Sequence, residues 1–286
     1  MITVDAHQHF WDPTRASYPW LTEELEAIRR PFGPEDLRPL LAANGIDRTI
    51  LVQTRSSEEE TREFLATAAA NDFVAGVVGW VDLTAGDLGE RIAELRAAEG
   101  GAKLVGIRHQ VQDEADPEWL LRPDVQRGIT AVGRAGLVYE LLVRIRELPA
   151  ARATVEAHPE VRFVIDHLAK PPIASGVLDE WSERLSPLAG APNVMCKLSG
   201  MVTEADWRRW SARDLEPYVR RVVEWFGPAR CLFGSDWPVC LLAASYAKVV
   251  ATCRSLIADL GPAERERILG GNAVALYRIA VPAAAS

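Results

Sequence analysis

The chain has 286 residues and a mass of 31.5 kDa, enough to bury a large core and close to the size of one complete α/β barrel. With 48% apolar and 25% charged residues it has the balance of a folded globular protein, which excludes disorder. A formal charge of -8 offers no general attraction to nucleic acid or anionic membrane, and no apolar run reaches the roughly 18 residues of a membrane span, so the reading is a cytoplasmic, non-membrane protein.

In chain order, residues 2–9 read as a short strand whose side chains alternate, so His7 and His9, two apart, project to one side. The loop that follows carries Trp11, Tyr18 and Trp20, either a hydrophobic plug or a wall of a substrate pocket. A helix over 34–44 stops at Gly45, and a second strand over 48–53 delivers Gln53 and Arg55. Ser57 and Glu60 resemble a capping box for a helix over 58–71, and 73–80 is a strongly apolar third strand. A helix over 87–98 precedes strand four, 104–107, which presents Arg108 and His109. Residues 113–124 are polar and proline-punctuated, a loop or irregular short helix in which Trp119 covers a pocket or packs.

The fifth strand, 136–142, holds Glu140, and Pro149 opens a helix that ends near His158, read as a cap or surface residue. Strand six, 162–165, leads into Asp166, His167 and Lys170. A helix over 178–188, strand seven over 194–198 and a helix over 215–226, capped by Ser211 and Asp214, come next. Strand eight, 230–233, runs into Gly234-Ser235-Asp236. Helices over 244–260 and 262–269 and a last turn at 272–277 complete the pattern, with 281–286 expected to fray.

Eight strands separated by helices, with no glycine-rich dinucleotide fingerprint, predict a closed (β/α)8 TIM barrel as one domain over 1–280 rather than an open doubly wound sheet. Barrel enzymes draw their sites from the C-terminal ends of different strands. Reading those ends gives His7, His9, His109, Glu140, His167 and Asp236, so four of the five histidines fall where chemistry is expected. Imidazoles plus a carboxylate suit zinc or another transition metal better than magnesium, although the same groups could stabilise an oxyanion and deprotonate water without an ion. Arg55 and Arg108 are candidates for clamping a carboxylate through paired hydrogen bonds, and Lys170 and Lys197 for pairing with Glu140 or touching substrate. No GxSxG elbow supports serine catalysis, and the cysteines Cys196, Cys231, Cys240 and Cys253 have no zinc or CxxC spacing and read as reduced packing residues.

The opening Val4-Asp5-Ala6-His7-Gln8-His9-Phe10-Trp11-Asp12-Pro13, the blocks Phe163-Val164-Ile165-Asp166-His167-Leu168-Ala169-Lys170-Pro171 and Lys197-Leu198-Ser199-Gly200, and Leu232-Phe233-Gly234-Ser235-Asp236-Trp237-Pro238 together resemble the amidohydrolase superfamily. More narrowly the chain is similar to the amidohydrolase-2 branch that contains sugar-acid lactonases and the pyrone dicarboxylate lactonase. The resemblance implies a somewhat distorted barrel with His7, His9 and Asp236 as ligands of one divalent metal, zinc foremost, and with metal-free catalysis as the alternative. It also implies Asp236, His109 and His167 as catalytic groups, while the residues themselves offer Arg55, Arg108, Trp11, Tyr18, Trp20, Lys170 and Glu140 as substrate contacts. No lysine suited to carboxylation occupies mid-barrel, where Glu140 stands instead, which argues against a two-metal centre.

The expected activity is hydrolysis of a sugar-acid lactone, an aldono-1,5- or 1,4-lactone of the L-fucono or L-rhamnono type. The rivals are a pyrone dicarboxylate or muconolactone-type lactonase, a metal-dependent decarboxylase of an unsaturated or aromatic acid, and a binding protein on an inactive barrel. The expected partner is a small-molecule lactone, with no nucleic acid and no membrane, in a monomer or homodimer.

Overall fold

The computed structural model describes residues 2–280; the tail expected at 281–286 lies outside them. Eight parallel strands form one sheet in sequence order: β1 (Val4–Gln8), β2 (Arg48–Val52), β3 (Val74–Gly79), β4 (Leu104–His109), β5 (Val138–Leu141), β6 (Arg162–Ile165), β7 (Val194–Leu198) and β8 (Cys231–Phe233). Between and after them lie α1 (Pro34–Asn44), α2 (Glu58–Ala70), α3 (Leu88–Ala97), α4 (Pro123–Arg134), α5 (Leu148–Ala157), α6 (Asp179–Leu185), α7 (Ala212–Phe226), α8 (Tyr246–Leu256), α9 (Pro262–Glu266) and α10 (Asn272–Tyr277). Among the described residues no helix is long and apolar enough to cross a membrane.

The sheet closes just beyond its last strand. His9 N donates to Trp237 O at 2.7 Å and Asp236 N to His7 O at 2.8 Å, a parallel bridge between the end of β1 and the segment after β8. Asp5 fastens the same seam from outside, its carboxylate accepting from Ser235 N at 2.8 Å and from the Tyr246 hydroxyl at 3.0 Å.

The barrel interior is filled by branched and small residues, Val4, Ala6, Ile50, Val52, Val78, Val138, Val164 and Leu232, as the narrow lumen of an eight-stranded barrel requires. α10 packs into the same cluster through Ala273, Leu276 and Tyr277. A second, larger core lies between the outer faces of the strands and the helices.

Two local readings change. Residues 113–122 form the irregular stretch expected, with short 3₁₀ turns, but Pro123 then opens the unforeseen α4, whose Val125, Gly128, Ile129 and Val132 make a buried stripe. Proline at a first helical position starts a helix as readily as it breaks one. The Ser57–Glu60 pair is half a capping box: Ser57 Oγ accepts from Glu60 N at 3.2 Å, but the Glu60 carboxylate turns back to Thr54 N at 2.8 Å and Arg55 N at 2.9 Å. It thereby fixes the loop after β2.

Candidate active site

β1 supplies two histidines by breaking its own alternation. Strict period two would send Ala6 inward and Asp5 and His7 outward. Ala6 does pack in the lumen and Asp5 does face out to Tyr246, but the register slips between Asp5 and Gln8. This bulge turns His7 inward as well, with His9 above it, which is the re-aiming that bulges beside active sites accomplish.

His7 Nε2 and His9 Nε2 stand 3.1 Å apart, and Asp236 Oδ1 lies 3.3 Å from His9 Nε2 and 3.8 Å from His7 Nε2. The fourth group is His167, its Nε2 3.9 Å from Asp236 Oδ1. His167 begins a run of four residues, His167 to Lys170, with φ between 51° and 57°, and Asp236 has φ 58°. Such left-handed backbone is uncommon outside glycine and concentrates at functional sites. Here it carries one imidazole and one ammonium over the mouth of the barrel.

The hydrogen bonds around these rings decide which nitrogens are free. Val52 O can only accept, so the 2.7 Å contact from His9 Nδ1 places a proton there and turns Nε2 toward His7 and Asp236. His167 Nδ1 meets Ser199 Oγ at 2.9 Å. Burial, with Lys197 nearby, holds the His7 pKa well below the ordinary imidazole value, and burial brings that of His167 down to about 4, so both are neutral at pH 7. Burial would raise the Asp236 carboxyl, but the imidazoles facing it more than offset that and keep it below the usual value.

Beneath the rings lies a buried ionic layer. Lys197 Nζ sits 2.6 Å from Glu140 Oε2, 3.1 Å from Asp166 Oδ1 and 3.1 Å from His7 Nδ1, and Tyr277 also donates to Glu140. Arg108 Nη1 is 3.0 Å from Asp166 Oδ2 and 3.2 Å from His7 Nε2, while its other nitrogen reaches Gln53 Oε1 at 3.1 Å. Burial raises Glu140 to about 7 against the pull of Lys197, whereas Asp166 is held well below its ordinary value because Lys197, His7 and Arg108 overcome its burial.

Two triads could in principle hold a cation: His7, His9 and Asp236, and His7, Asp166 and His167. Ligands about 2.0–2.1 Å from a tetrahedral ion lie about 3.3 Å from one another. The first triad, with separations of 3.1, 3.3 and 3.8 Å, fits. The second does not, because Asp166 is already neutralised by Lys197 and Arg108.

Above the first triad opens a cavity of about 360 Å³ whose lining includes His9, His167, Asp236, Arg108, Lys170, Trp11 and Trp20. The structure corrects the placing of four other predicted site residues. His109 is outside the lining: Trp80 Nε1 donates to its Nδ1 at 3.0 Å, its Nε2 meets Glu114 Oε1 at 2.7 Å, and Trp119 stacks on its face at 4.1 Å. Both nitrogens are thus occupied, and burial lowers its pKa. Arg55 and Tyr18 line a neighbouring cleft of about 790 Å³, separated from the first by the shared wall of Trp11, because Glu60 ties Arg55 down on that side. Glu140 lies below the floor, paired with Lys197 rather than facing substrate. His158 caps α5 as expected but is buried, bonded to Gln126 Oε1 at 2.8 Å.

Sequence reasoning passed over Gln112, Arg144 and Glu204, which line the same cavity from loops after β4, β5 and β7. The signal available was position alone, a polar residue shortly after a strand.

A family model described as amidohydrolase matches residues 4–279. An L-fucono-1,5-lactonase of Burkholderia ambifaria is 46% identical over 283 residues, spanning 98% of this chain and 96% of that protein. One from Burkholderia multivorans is 41% identical over 99% of this chain and 98% of its own length. A crystal structure of an amidohydrolase from Burkholderia multivorans with bound zinc superposes with a TM-score of 0.93 at 40% identity, covering 98% of this chain and 100% of that one.

Proposed function

The chain belongs to the amidohydrolase family, and from that premise we propose that it is a lactonase opening the cyclic ester of a sugar-acid lactone, an aldono-1,5- or 1,4-lactone of the L-fucono or L-rhamnono kind. The observation that carries this reading is the convergence of His7, His9 and Asp236, the last two lining a cavity of about 360 Å³. That volume is within the range of small-molecule sites, about 300–1,000 Å³. The lining sets Arg108, Arg144 and Lys170 against Asp113, Glu204 and Asp236, a balance that suits a neutral polyhydroxy ring better than a dicarboxylate.

In the proposed mechanism the lactone lies with its carbonyl toward the histidines. Ionised Asp236 accepts a proton from water as the water oxygen attacks the carbonyl carbon. The carbonyl electron pair moves onto its oxygen, where Arg108 and an Nε2–H of His167, its Nδ1 accepting from the Ser199 hydroxyl, stabilise the charge. Collapse restores the carbonyl, breaks the bond to the ring oxygen, and Asp236 returns its proton there as the ring opens to the hydroxy acid. His7, His9 and Asp236 would hold one divalent ion, zinc by its ligand preference, which when bound supplies Lewis acidity to the carbonyl and acidifies water. Trp11 and Trp20 wall the ring on one side, their indole N–H groups spent on Ile28 O at 3.1 Å and Thr54 O at 3.0 Å, so they offer flat apolar faces.

A pH-indicator assay over a panel of aldono-1,4- and 1,5-lactones should show acid release by the wild-type protein. Asp236→Asn should lower kcat by about a hundredfold or more, the low end for a general base. Wild-type turnover retained in that variant would overturn the mechanism, and carbon dioxide released from an unsaturated acid, with every lactone inert, would overturn the reaction class.

A further inference from the structure

The proposed chemistry draws on Asp236, His167 and Arg108 and leaves several other polar side chains of the cavity lining without a role. The loops after β4, β5, β6 and β7 contribute Gln112, Arg144, Lys170 and Glu204 to the lining. These side chains are underused by the protein itself. Glu204 Oε1 has Lys170 Nζ at 3.8 Å, beyond hydrogen-bond reach, and among the described residues its carboxylate has no hydrogen bond. Gln112 Oε1 is buried and unpartnered among the described residues. Burial raises the Glu204 carboxyl, with Lys170 and Arg144 the nearest compensating charges.

A half-buried carboxylate whose charged neighbour is a lysine 3.8 Å away, beyond hydrogen-bond reach, keeps acceptor capacity that a ligand's donors can fill. A lactone ring presents such donors only through its hydroxyl groups, since its ester oxygens accept. We propose that Glu204 determines substrate specificity, accepting hydrogen bonds from hydroxyls of the bound lactone, with Arg144 and Gln112 beside it completing a wall that reads the polyol. This deepens the lactonase reading and rests on it. A site built to bond a hydroxyl rejects the analogue lacking it far more strongly than an apolar pocket rejects an extra methylene.

The test compares an aldono-1,5-lactone with δ-valerolactone, the same ring without hydroxyls. The selectivity ratio, kcat/KM for the first over kcat/KM for the second, should fall by about tenfold or more in Glu204→Gln, the effect of losing charge-assisted hydrogen bonds. Where δ-valerolactone turns over too slowly, its inhibition constant against the sugar lactone serves in its place. Arg144→Met, at an exposed position, is the second variant and should move the ratio the same way, so a folding failure of the first still leaves a measurement. Equal losses on both substrates, or an unchanged ratio in the folded variants, would overturn the assignment to Glu204 while leaving the lactonase reading intact. A wild-type protein inert toward every sugar lactone would overturn that reading itself and this proposal with it.

Discussion

Two glycines give the clustered rings their room. A Cβ on Gly234 would lie 2.7 Å from His7 Cβ, and one on Gly200, where φ is +64°, would lie 2.6 Å from the His167 ring. Gly200→Ala should therefore cost about 1–2 kcal/mol for a left-handed backbone carrying a side chain, with about 1–3 kcal/mol more for overpacking. Urea denaturation reads the sum directly, and kcat should fall with it as His167 is pushed off Asp236. An unchanged midpoint would mean that the ring has slack and that Gly200 does not hold it in place. At this scale His7, His9, His167 and Asp236 were legible because each is a titratable side chain at a strand end, where packing alone rarely calls for one. His109 had the same placement, yet a tryptophan N–H and a glutamate claim its two nitrogens. Strand-end position says which mouth a residue is near and not which way its ring is turned.

Among the elements, β5, β6 and β7 carry an ionic layer across the lumen: Glu140, Asp166 and Lys197, all fully buried, with Arg108 from β4 and Tyr277 from α10 attached to it. Removing one partner of a buried pair strands a charge, at a cost of about 3–5 kcal/mol, whereas replacing both with apolar groups of similar volume can be nearly neutral. Lys197→Met and Glu140→Leu should each be strongly destabilising in chemical denaturation, and the double variant should lose clearly less than the sum, with a coupling of about 0.5–3 kcal/mol. Additive losses would show that the two side chains do not act as a pair. The strands bearing this layer were readable from their apolar runs, and a Glu140–Lys197 pairing was among the sequence expectations. The left-handed turn from His167 to Lys170 was not, because it contains no glycine to signal positive φ. α4 was missed for the opposite reason, its opening proline being read as punctuation.

For the molecule as a whole, closing the barrel and assembling the site are one event. The backbone bonds that join the ends of the sheet are those of His7, His9, Asp236 and Trp237, and three of these residues carry the triad. The β-α repeat made the barrel legible from length and strand count, but its seam depends on contacts between residues more than 220 positions apart, such as Asp5 to Ser235 with a separation of 230, which no local pattern reports. An ion bound by the triad would bridge that seam and should stabilise the entire fold by mass action, by about 2.7 kcal/mol at a free concentration one hundred times its dissociation constant. Protein stripped with a chelator and titrated with zinc should therefore show a rising unfolding midpoint. His9→Ala, which removes one ligand while leaving the His9 backbone bond to Trp237, should abolish most of that rise. A midpoint indifferent to zinc in the wild-type protein, or a rise undiminished in His9→Ala, would separate the ion from the seam and place any zinc binding elsewhere on the chain.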